Sequence, residues 1–326
     1  MTREEVVGTL LSKILAEKWH YLSYHFSPYK KGYEHFLCAS IVDSCTRIES
    51  VMPGYTEEFS KKLSSFSNRE KYQPHYEQII QLLAELYVIN HLATIKFPSA
   101  SFLHEPTASD SNRNPEVGII LNDKEIYVEV KCREYIPHHN DRGHTSIEVP
   151  SRMDGIKEVA ESILKNGEHI VYPRDNTIKD FLISANDKFR GFKNDSSKSI
   201  TVLVIVWDDC IYEPISSLLN SSSGLLTDNS FYKNGGEAAK FENVDAILLV
   251  RQSHHIVRAT RDQFPVDGLK HPLDWGAKNM VLPKAYIPVN TNDKVDEYLC
   301  QILEAHNISE LTHVAEYRPQ ELVFHV

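Results

Sequence analysis

In the first third of the chain, apolar side chains return every third or fourth residue. Val6, Val7, Leu10, Leu11, Ile14, Leu15, Trp19 and Leu22 share one stripe, which predicts an amphipathic helix over residues 3–24. A second helix is expected over 33–51. After the polar piece SKKLSSFSNREKYQ, Pro74 stands where a first helical turn would begin. HYEQIIQLLAELYVINHLATI then follows with apolar residues at helical spacing.

The period then shortens to two. SFLHEP, EVGIIL and EIYVEVKC are β-rich runs bounded by Pro, Asn, Asp and Ser, and they predict a meander of strands in which NDK forms a hairpin turn. Residues 133–175 are a long excursion with a helix expected near 153–165. DNTIKDFLISANDKFRGFK opens on a capping Asp/Asn and continues as a helix, and SITVLVIVWDD is an apolar run of strand length. Farther on, NSSSG and KNGG mark loops, VDAILLVRQ and KAYIPV read as strands, and NDKVDEYLCQILEAH reads as a helix. This order predicts an α/β fold with helices laid over a mixed sheet between about residues 72 and 210. Residues 1–71 form an N-terminal helical extension and 211–326 a C-terminal α/β extension packed on the core.

Charge narrows the possible partners. The 326 residues carry 35 Lys+Arg and 45 Asp+Glu, a formal charge of −10, which disfavours indiscriminate attraction to a phosphate backbone. Any nucleic-acid contact must therefore use a local basic patch. Cys38, Cys45, Cys132, Cys210 and Cys300 are scattered and include no C-x-x-C pair, so free thiols in a reducing cytoplasm are expected. The stretch MTREEVVGTLLSKILAEKW mixes charges into its apolar pattern and lacks a small-residue cleavage site, unlike a signal peptide. No apolar run approaches the ~20 residues that cross a bilayer, so no membrane role is expected.

The candidate chemistry lies in NPEVGIILNDKEIYVEVKC, residues 114–132. Ile126, Val128 and Val130 share one face of a strand while Tyr127, Glu129 and Lys131 share the other. Pairing across NDK brings Glu116 toward Glu129 and Lys131. Two close carboxylates repel unless a cation sits between them, and hard oxygen donors suit Mg2+ or Mn2+. Pro115-Glu116, twelve residues, then Glu129-Val130-Lys131 resembles the bipartite signature of the PD-(D/E)xK, restriction-endonuclease-like nuclease superfamily. Glu129-Val130-Lys131 is the one Asp/Glu-x-Lys triplet in the chain.

The resemblance implies a restriction-endonuclease-like core over 72–210 and a Mg2+- or Mn2+-dependent phosphodiesterase. Its most fitting form is a DNA endonuclease of restriction or phage-defence type, with RNA an open alternative and a homodimer possible. Glu116 and Glu129 become metal ligands, Lys131 a water-positioning group, and Glu85 in LLAELYVINHL a supporting carboxylate and third ligand. The helix that precedes the fourth core strand in that superfamily suggests Lys188, with Asn186 and Arg190 as competitors. Glu116 departs from the family's usual Asp. Arg133, Arg142, Arg152 and Lys193 flank the core as further phosphate contacts.

Simpler readings stand beside these. Glu129 and Lys131 can form an ordinary exposed ion pair, which contributes about 0–1 kcal/mol, and the domain can be a catalytically inactive nuclease-fold binding or assembly module. His138, His139 and His144 lack a fixed ligand spacing and are expected on an exposed polar loop, with substrate contact or transition-metal ligation as the alternatives, since that loop leaves directly from the strand of Glu129 and Lys131. His254-His255 has no partner motif and reads as structural or solvent-facing.

Overall fold

The computed structural model describes residues 1–97, 99–109, 113–141, 146–148, 158, 162, 169–171 and 175–317. Seven strands form one mixed sheet: β1 (Ser101–His104), β2 (Val117–Ile120), β3 (Glu125–Cys132), β4 (Ser199–Trp207), β5 (Ala246–Arg251), β6 (Ala285–Pro288) and β7 (His306–Asn307). They lie side by side in chain order. β1, β2 and β3 make an antiparallel meander, β3, β4 and β5 run parallel, β6 is antiparallel to β5, and β7 is parallel to β6.

The helices are α1 (Arg3–Ile14), α2 (Phe36–Val51), α3 (Tyr55–Ser64), α4 (Gln73–Thr94), α5 (Tyr135–Asp141), α6 (Asp175–Asp195), α7 (Tyr212–Leu219), α8 (Ser253–Thr260) and α9 (Asp293–Ile302). Period-two alternation assigns each face of the sheet to its own core. Val117, Ile119, Val128, Val130, Val202, Val204, Leu248 and Val250 pack toward α4 and the N-terminal helices. Tyr127, Leu203, Ile205, Trp207, Ile247 and Leu249 pack toward α6 and α7, the helices that carry the chain between parallel strands. The result is a helix, sheet, helix sandwich, as the sequence pattern anticipates.

The structure corrects several boundaries. The helix expected over 3–24 stops at Ile14, because His20 Nδ1 accepts from the Leu22 N–H at 3.0 Å and His20 Nε2 lies 3.0 Å from the Leu63 carbonyl. Those local bonds replace helical ones and turn the chain. The second helix begins at Phe36, where the His35 ring caps the Leu37 N–H. α3 and α8 are not anticipated at all. The boundary drawn at residue 210 cuts through the sheet, since β5, β6 and β7 come from the segment expected to pack on it as an extension. The helix expected near 153–165 falls almost wholly outside the described residues, as do Arg142, His144 and Arg152. Among the described residues no helix is long and apolar enough to cross a membrane.

Candidate metal and phosphoryl site

The meander sets three glutamates in one row. Antiparallel pairing puts Val117 opposite Val128, so Glu116 comes opposite Glu129, and its N–H donates to the Val128 carbonyl at 3.0 Å. His104 pairs with Val117, which places Glu105 beside Glu116, and the Glu105 N–H donates to the Glu116 carbonyl at 3.1 Å. Side chains directly opposite one another in an antiparallel pair point to the same face. Past Glu129, β3 has a registered partner only on its β4 side among the described strands. The hairpin turn that sets this register is closed by the Leu121 N–H to the Lys124 carbonyl at 2.9 Å.

Glu129 is fully buried. One of its oxygens, Oε1, accepts from Lys131 Nζ at 2.7 Å and from Lys188 Nζ at 2.6 Å. The other, Oε2, is buried and has no hydrogen-bond partner among the described residues. A buried, unsatisfied carboxylate oxygen is costly, and native folds rarely leave one without a purpose. Both lysine side chains keep some exposure, 22% and 18%, so the cluster opens to solvent through its amines.

Two further carboxylates share this field. Burial, reinforced by the charges of Glu85 and Glu129, pushes the Glu116 carboxyl up to about 8. Glu85 arrives from α4 on the other layer. Burial also raises its pKa, opposed by Lys62 and helped by Glu129. Lys62 of α3 completes the ring, pairing with Glu105 at 2.5 Å while its charge acts on Glu85 and Glu116. Four glutamates thus face three lysines. At neutral pH the imbalance is relieved by a proton held on Glu116, and a divalent cation would take over that role.

The expected residues divide clearly. Lys131 and Lys188 meet on Glu129, Glu116 comes opposite it in register, and Glu85 joins them through its charge. Arg190 does not: about 200° of helical rotation separates it from Lys188, and it is exposed and pairs with Asp187 at 2.6 Å. Asn186 is engaged elsewhere, accepting from the Asn243 N–H at 3.0 Å. Lys193 is taken up by Asp245 and by the Ser199 carbonyl. Arg133 leaves the end of β3 with its guanidinium 5.5 Å from the Trp207 ring centre, which holds it beside the strand end that carries Lys131.

Sequence reading misses Glu105 and Lys62, and it misplaces His138. His138 is not on an exposed loop but buried in α5, its Nε2 at 3.3 Å from Asp208 and 3.1 Å from Glu213. Trp207 Nε1 donates to the same Glu213 oxygen at 3.0 Å. The ligand atoms of this trio lie within 4.8 Å of one another. It ties α5, which follows directly on β3, to the end of β4. His139 is exposed and stacks against Tyr135, with ring centres 5.7 Å apart.

The donor chemistry is that of a hard divalent cation: the charges of Glu85, Glu116 and Glu129 act on one another, and one Glu129 oxygen has no hydrogen-bond partner among the described residues. Among the described residues, the trios whose ligand atoms lie within 4.8 Å of one another are His138, Asp208 and Glu213, and His254, His255 and Asp267, not the glutamates. No protein family model, curated protein or solved structure matches this chain.

Proposed function

We propose that the protein is a metal-dependent nuclease with a restriction-endonuclease-like core, hydrolysing phosphodiester bonds in DNA. The observation that carries this reading is the buried Glu129 carboxylate, with Lys131 and Lys188 on one oxygen and no hydrogen-bond partner on the other among the described residues, in the field of Glu116 and Glu85. Their order and spacing along the chain are those that the superfamily resemblance requires.

Glu116, Glu129 and Glu85 would hold Mg2+ or Mn2+. When bound, such an ion polarises a phosphoryl oxygen and acidifies water. Lys131 and Lys188 draw the scissile phosphate into an otherwise acidic pocket and steady the negative charge that develops on it. Glu129 holds both amines in place through one oxygen, so their orientation is fixed before substrate arrives. Glu116 must lose its proton for the ion to bind, which couples activity to pH. With a net charge of −10, productive contact with DNA depends on this local lysine set and Arg133.

The test is cleavage of plasmid, linear and single-stranded DNA and of RNA with and without Mg2+ or Mn2+, comparing wild type with Lys131→Ala and Glu129→Ala. Metal-dependent cutting by wild type alone is expected. Equal cutting by all three proteins overturns the assignment. Metal binding without cutting of any substrate favours the inactive binding module.

A further inference from the structure

His254 and His255 are both buried, at 5% and 0% exposure, in the first turn of α8. Their rings lie against each other with centres 3.8 Å apart. Among the described residues, neither nitrogen of His254 has a hydrogen-bond partner, and Nε2 of His255 has none either. Three buried imidazole nitrogens without partners are expensive, and the contact of two tilted rings does not satisfy them. Asp267, on the loop after α8, completes the group. Its Oδ2 lies 3.7 Å from His254 Nε2 and 3.5 Å from His255 Nε2, and the ligand atoms of the three residues lie within 4.8 Å of one another.

We infer that His254, His255 and Asp267 form a binding site for a borderline divalent transition-metal ion, of which Zn2+ and Co2+ are the natural probes. Two imidazoles and one carboxylate select such ions over Mg2+, which prefers oxygen alone. Burial lowers the pKa of both imidazoles. Asp208 and Asp209 add negative potential from the end of β4, while Arg251 and Arg258 oppose it. Asp267, with 32% of its side chain exposed, provides the entry from solvent.

Two contacts must yield on binding. The Val266 N–H sits 3.4 Å from His255 Nδ1, a long contact that is given up when Nε2 takes an ion. Arg251 Nη1 donates to Asp267 Oδ2 at 2.8 Å and competes with the ion for that carboxylate. Binding should therefore be moderate in strength, not the tight closure of a four-ligand structural zinc.

The site lies along the same end of the sheet as Lys131. β3, β4 and β5 run parallel with Lys131, Ile205 and Leu249 in one row, and α8 starts just beyond β5. It shares no residue with the glutamate cluster and does not depend on the nuclease reading.

Co2+ titration of the full chain in excess Mg2+, followed by visible absorption and by displacement with Zn2+, tests the site. One equivalent of Co2+ is expected for wild type and for Glu129→Gln. Affinity should fall by about tenfold or more in His255→Ala and in Asp267→Asn. Asp267→Asn alters a half-exposed loop residue, so its unchanged melting temperature without metal shows that the fold is intact. No Co2+ uptake by wild type, undiminished uptake by both variants, or loss of uptake in Glu129→Gln overturns the inference.

Discussion

Glu49 and Glu129 are both buried acids, and the fold treats them in opposite ways. Glu49 accepts the Gly54 N–H on one oxygen at 2.7 Å and the Thr56 N–H on the other at 2.9 Å. Burial pushes its carboxyl up, but these bonds outweigh burial and hold it below the ordinary value. Glu77 is similarly capped, by the N–H groups of Ile136 and Tyr135 at 2.8 and 2.6 Å. Glu129 instead crowds two lysines on one oxygen and leaves the other bare, beside Glu116 and Glu85 with their raised pKa values. A carboxylate with each oxygen bonded to the chain serves the fold. One left incomplete among like charges is waiting for something the chain does not supply.

Substitution should separate the two kinds. Glu129→Gln is expected to lower metal-dependent cleavage by about 10²–10³-fold or more while leaving the melting temperature unchanged or higher. Cleavage rates paired with thermal melts check this. Glu49→Ala should do the reverse. It strands two buried N–H groups, at about 2–4 kcal/mol of stability measured by denaturant titration, with activity per folded molecule preserved.

Glu116 joins both effects. Its folded pKa of about 8 lies above the ordinary 4.5, so the native state binds a proton that the unfolded chain has released between those values. Its contribution to stability therefore falls as pH rises from about 4.5 to 8. Glu116→Gln should stabilise the metal-free protein at pH 8 by about 1–2 kcal/mol and flatten this pH dependence, while weakening Mg2+ binding. In wild type, Mg2+ affinity measured calorimetrically should climb as pH passes through about 8, with proton release on binding. The smallest effect belongs to Arg190→Ala, for which cleavage and DNA affinity should change by less than about twofold, since its partner is Asp187 on the exposed side of α6.

Of the site residues that sequence reading recovers, Glu116, Glu129 and Lys131 are fixed by local periodicity, whereas Glu85 and Lys188 come from the superfamily resemblance. Alternation in EIYVEVKC puts Glu129 and Lys131 on one face, the hairpin turn at NDK fixes Glu116 against Glu129, and both follow without knowledge of the rest of the chain. Glu105 escapes notice because it lies one residue past the end of β1, at a positive φ of 45° before Pro106, where no strand pattern marks it. The pairing of β1 with β2 would have located it. Lys62 escapes because TEEFSKKLS reads as polar linker. Its only large apolar anchors, Tyr55, Phe59 and Leu63, are four residues apart and need the neighbouring helices to make α3 evident. His138 depends on Asp208 and Glu213, some seventy residues away, and His254 and His255 depend on a loop carboxylate. Such meetings are set by tertiary packing alone. So is the entry of β5, β6 and β7 into the sheet, since an apolar run predicts a strand but not its neighbour.

The most direct test of the incomplete carboxylate is anomalous diffraction from crystals soaked in Mn2+ at pH 8. The account predicts a peak within bonding distance of Glu129 Oε2 and a Glu116 oxygen, absent in Glu129→Gln crystals. An empty glutamate cluster at saturating Mn2+, with Glu129 still held only by Lys131 and Lys188, would contradict it.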